Sequence, residues 1–122
     1  MASFAKAIRP FVDRELRLAA VAERSGDLSV AFGHLERAHI LGQASTVQHI
    51  RVHWRMFGWG LRHRRPRECL GQLLRLLGAA TKTAVGLVPS GNTGGSNVSP
   101  FRTLQVPPDL DAIIGRAQRG VE

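Results

Sequence analysis

Five side chains in the first half of the chain have the types and spacings that hold a metal ion: Glu15, Glu36, His39, His49 and His53. Imidazole nitrogen with carboxylate oxygen suits a divalent transition metal such as zinc, iron, nickel or copper. His49-x-x-x-His53 puts two rings one helical turn apart on one face, so both can reach a single ion. Glu36-x-x-His39 has the form used by metal sites inside helical bundles. On this reading Glu36, His39, His49 and His53 are the first-choice ligands and Glu15 the next. His-x-x-x-His arises by chance in many helices, so these patterns gain force only from their setting.

That setting is a mismatch between polarity and periodicity. At about 100° per residue, a helix through His49 lines up His49, His53, Met56 and Gly60, flanked by Ile50, Val52 and Phe57, with Arg51 and Arg55 opposite. The two histidines thus occupy the middle of an apolar face. Glu15 lies in a comparable stripe of Phe11, Glu15, Leu18 and Ala22, and His39 lies beside Leu28, Phe32 and Leu35. Buried carboxylates and imidazoles need partners. A shared metal would satisfy them together, and a metal-free His–Glu hydrogen-bond network would serve the same groups. His34 falls on the other side of its helix, His63 in a basic loop, and Cys69 reads as an inert thiol.

The elements that must position these residues are helices. Pro10 suits a first helical turn, so a helix is expected from about 10 to 25, closed by Gly26 in the left-handed conformation. Asp27 caps the next, to about Leu41. Ser45 or Thr46 caps a third, to about Phe57, ahead of Gly58 and Gly60. Pro66 opens a fourth, fading near Thr83. The short connections make consecutive helices antiparallel neighbours. Reflection through the turns brings Glu15, His39 and His49 to one level, with Glu36 and His53 about a turn away. The run Gly26-Asp27-Leu28 with Ala31, Leu35 and Ala38 is similar to half of a tetratricopeptide repeat, but no second copy follows. Residues 86–108 are rich in Gly and Pro and read as extended, with a tight turn at Gly91–Gly95. That turn offers amides to an anion but lacks the Gly-Lys-Ser/Thr of a phosphate loop. Asp109 or Asp111 would cap a last helix over 109–118.

The expected fold is therefore all-α: antiparallel helical hairpins forming a three- to four-helix bundle. The helical part spans about 10–84 of a single domain covering 1–122. Composition sets the outer bounds. The chain has 122 residues, 43% of them hydrophobic, enough for one core. One cysteine excludes an internal disulfide framework and points to the cytoplasm. No apolar run is long enough for a spanning helix, so no membrane partner is expected. The net charge of +8 would support nucleic-acid binding. Only Arg62–Arg67 is a dense basic cluster, however, and no aromatic residues interleave with it for base stacking. No hydrolase triad is present. Trp54 and Trp59 together are large enough to suggest a homo-oligomer.

Three runs also resemble a known family: His34-Leu35-Glu36-Arg37-Ala38-His39-Ile40-Leu41-Gly42-Gln43, then His49-Ile50-Arg51-Val52-His53-Trp54, then Val88-Pro89-Ser90-Gly91-Asn92-Thr93-Gly94-Gly95. They resemble the bacterial domain-of-unknown-function family number 3703, across about residues 10–117. The resemblance implies a small bacterial protein with no assigned reaction, and it transfers no site. Two functional readings stand. One is a small cytosolic protein that sequesters or senses a metal through an interior His/Glu cluster. The other is a metal-free helical module that binds a protein or nucleic acid through its arginine-rich surface. A metal-free enzyme built on the same cluster is a third, for which no substrate is indicated.

Overall fold

A computed structural model describes residues 3–72, 74–75 and 105–120. Among them there are helices and connecting turns and no strand. In chain order they are α1 (Phe4–Arg24), α2 (Leu28–Gly42), α3 (Thr46–Arg62), α4 (helical at 66–72 and 74–75) and α5 (Pro108–Gln118). The glycine-rich turn at 91–95, the continuation of α4 toward 83 and most of the segment at 86–108 lie outside the described residues. Within that segment, residues 105–107 are non-helical and Pro108 begins α5.

Each helix start has a local cause. Ser3 caps α1 by accepting from the Lys6 amide at 3.3 Å, so the helix begins before Pro10 rather than at it. Pro10 removes the N–H that would serve the Lys6 carbonyl. Both residues are exposed, so water can take that carbonyl. Asp27 caps α2 through the Val30 amide at 3.2 Å, directly after Gly26, whose φ of +79° favours glycine. Ser45 caps α3 through the Gln48 amide at 3.3 Å. α5 begins at Pro108, with Pro107 as its N-cap residue and no side-chain cap; Asp109 and Asp111 instead sit in its first turn, where the helix dipole favours negative charge.

α3 also departs from expectation: it runs through Gly58 and Gly60 to Arg62. Glycine inside a helix costs about 1 kcal/mol, and here packing offsets it. A Cβ on Gly60 would stand 2.9 Å from Cys69 Sγ and 3.3 Å from the Cys69 amide nitrogen. The missing side chain lets α4 close on α3.

The pairings run in opposite directions. Glu15 of α1 meets His34 and Arg37 of α2, while Val12, earlier in α1, lies beside Gly42, later in α2. His39 near the end of α2 meets His49 near the start of α3, and Phe32 near the start of α2 meets Trp59 near the end of α3, ring centroids 4.6 Å apart. α5 packs on α1 and α2.

The core is formed by Ile8, Val12, Leu16 and Ala19 of α1, Leu35, Ala38, Ile40 and Leu41 of α2, Val52, Met56 and Trp59 of α3, and Leu110 and Ala117 of α5. The buried stripe of α1, with Ile8, Val12, Leu16 and Ala19, lies one position from the expected one of Phe11, Leu18 and Ala22, so Leu18 is exposed. Ala31 and Ala38 are fully buried. Trp54 lies exposed on the other side of α3, stacked on Phe57 at 5.8 Å. No described helix is long and apolar enough to cross a membrane.

Candidate metal centre

α2 contributes one histidine to the interior between helices, and α3 contributes two, one turn apart. His39, His49 and His53 are 3%, 6% and 2% exposed. Their rings turn the same atom, Nε2, toward a common point. The separations are 2.9 Å for His39–His49, 3.1 Å for His39–His53 and 3.0 Å for His49–His53. The rings meet edge-on or tilted, at centroid distances of 4.7–4.8 Å. They are not stacked face to face.

Hydrogen bonding alone cannot satisfy this triangle. A neutral imidazole nitrogen either carries a proton and donates, or carries a lone pair and accepts; it cannot do both. One shared N–H can serve two of the three contacts, and the third then sets two lone pairs against each other. A cation shared by the three lone pairs would turn all three contacts into favourable ones. The size fits. His39, His49 and His53 would hold an ion through these three nitrogens, whose spacing is close to what bonds of about 2.0–2.1 Å require.

The His53 ring is held from behind. Its Nδ1 lies 2.5 Å from Gln72 Oε1, and Gln72 Nε2 donates to Glu68 Oε1 at 2.6 Å. Gln72 is fully buried. Arg75, also buried, has its pKa lowered by loss of solvent, an effect that the nearby Glu68 charge partly opposes. Gln72 is not among the candidates that the sequence offers. The available signal was a single amide between Leu70 and Leu73, four residues after Glu68.

The two glutamates considered as ligands stand elsewhere. Glu15 is buried, but it faces the side of α2 opposite the triad. There it meets His34 Nδ1 at 2.7 Å and accepts from Arg37 Nε at 3.0 Å. Reflection through a turn fixes height along the helix, not direction around it, and His34 and Arg37 occupy the face of α2 turned to α1. Arg37 also donates to Asp109 of α5; this bond lowers the Asp109 pKa and raises that of Arg37. Glu36 is half-buried and lines a pocket of about 500 Å³ with Phe32, Trp59, Arg65, Pro66, Arg67 and Glu68. The three histidines alone form the group of potential ligands among the described residues, with their ligand atoms within 4.8 Å of one another. Cys69 lies outside it, its thiol 4.0 Å from the Phe57 carbonyl.

The basic cluster is partly committed to structure. Arg62 donates to Glu23 at 2.5 and 3.0 Å, and His63 lies 3.1 Å from the same carboxylate. Arg65 sits over the Trp59 ring at 5.6 Å.

No curated protein and no solved structure matches this chain. A family model described as "Protein of unknown function (DUF3703)" matches residues 6–114, nearly the whole length, and the chain belongs to that family.

Proposed function

We propose that this protein binds one transition-metal ion through the Nε2 atoms of His39, His49 and His53, and that its role is to hold or sense that ion. The observation that carries the reading is the triangle of three buried nitrogens, each 2.9–3.1 Å from the other two, in which one contact is unfavourable without a cation. Imidazole suits zinc, copper, nickel and iron, and three neutral nitrogens leave further coordination positions open. Burial of all three rings favours retention of the ion over rapid exchange.

The test is metal content and stability of protein purified without a His tag. One equivalent of metal per chain is expected. With free metal at about 100 times its dissociation constant, binding to the folded state adds about 2.7 kcal/mol, a rise in melting temperature of about 10 °C. No bound metal, and no shift with zinc, copper, nickel or iron, would refute the reading.

A further inference from the structure

We propose that Gln72 is a positioning residue for this metal centre and that Glu68 anchors it. The inference rests on the reading of the histidine triad as a metal site. Its basis is the direction of two hydrogen bonds. A carboxylate only accepts, so the Gln72 atom 2.6 Å from Glu68 Oε1 is the amide nitrogen. The other end of the amide is then the oxygen, and it faces His53 Nδ1 at 2.5 Å. An amide oxygen only accepts, so His53 Nδ1 carries the proton. In a neutral ring the lone pair then lies on Nε2, the atom that joins the triangle. Glu68 fixes the orientation of Gln72, and Gln72 fixes the tautomer and angle of His53.

This arrangement places α4 behind the metal centre. Gln72 is 0% exposed, so water does not compete for its amide. The contact also explains why α4 must approach α3 closely enough for Cys69 to lie against Gly60. Partners of this kind orient ligating histidines and raise their basicity, and their loss typically weakens metal binding about 10- to 100-fold.

Zn²⁺ affinity, measured by competition with a chelator, provides the test. Gln72→Leu keeps the volume but removes the acceptor, and a 10- to 100-fold weaker affinity is expected. The double variant Glu68→Gln with Gln72→Glu reverses the inner bond. The amide introduced at position 68 donates to the carboxylate introduced at position 72, which still accepts from His53 Nδ1–H. This variant should recover most of the loss; a purely structural role for Gln72 would not give that rescue. In the Zn²⁺-loaded wild type, nitrogen-15 NMR should show His53 protonated at Nδ1 and bound through Nε2, and this measurement needs no variant to fold.

Wild-type affinity in Gln72→Leu or no rescue in the double variant would overturn the positioning role while leaving the metal centre standing; a His53 ring bound through Nδ1 would overturn the positioning role together with the Nε2 assignment of that ring. A wild type that does not bind Zn²⁺, copper, nickel or iron would overturn both.

Discussion

His39 and His49 lie ten positions apart on different helices, yet their Nε2 atoms are 2.9 Å from each other in the interior. The turn between α2 and α3 sets this pair: Ser45 caps α3 close behind the end of α2, so the last turn of one helix faces the first turns of the next. His53, one turn further on, completes the triangle. His39→Ala should therefore abolish the rise in melting temperature produced by metal, whereas Cys69→Ser should retain it, because the thiol lies against Gly60 and the Phe57 carbonyl. Thermal unfolding with and without metal checks both.

Glu15 tests the division of labour between the two faces of α2. Glu15→Leu should leave metal affinity unchanged, since the carboxylate serves His34 and Arg37 on the α1 side. It should still destabilise the fold by about 1–3 kcal/mol, because the two donors lose their acceptor. Equilibrium unfolding in urea gives the second value, and a metal titration the first.

The clustering of the three histidines was legible in part from periodicity. His49 and His53 sit amid Val52, Met56 and Gly60 on one apolar stripe, and all of these residues are buried. The Asp27 cap and the Gly26 turn follow from residue chemistry, and they place His39 at the right height. Direction around a helix was harder to read. Glu15 was expected beside His39 because the two share a level, but α2 presents His34 and Arg37 to α1 and His39 to α3. Helix ends were misread where tertiary packing outweighed local propensity: at Pro10, whose lost bond is exposed to water, and at Gly60, whose missing side chain makes room for Cys69. The spacing of four from Glu68 marks Gln72 as that residue's neighbour, but no local pattern shows its contact with a histidine nineteen positions away.

Glu23 gives a prediction in pH. The hydrogen bond from Arg62 holds its carboxyl below the ordinary glutamate range; burial opposes this and His63 adds to it. A depressed carboxyl pKa contributes stability that is complete above the unfolded value and is lost as pH falls through the folded one. Arg62 is 55% exposed, so solvent screening limits the effect. Glu23→Gln should cost about 0.2–1 kcal/mol at neutral pH, and the gap to wild type should close progressively below about pH 4. Urea unfolding at a series of pH values measures the gap.

Gly60→Ala probes the seat of α4. Its Cβ would press on Cys69 Sγ at 2.9 Å and on the Cys69 amide nitrogen at 3.3 Å, and a short side chain and a backbone cannot both give way cheaply. The expected cost is about 1–3 kcal/mol of stability. Metal binding should weaken in parallel as Gln72 moves from His53. Calorimetric melting and a Zn²⁺ titration of the variant check the two effects.

The most direct test of the central claim is X-ray absorption spectroscopy of the metal-loaded protein, which reads the ion's own neighbours. The expected spectrum has three imidazole nitrogens at about 2.0–2.1 Å for zinc, and their signature is lost in His39→Ala. A shell of water and carboxylate oxygens, a sulfur neighbour, or a spectrum unchanged by His39→Ala would contradict it.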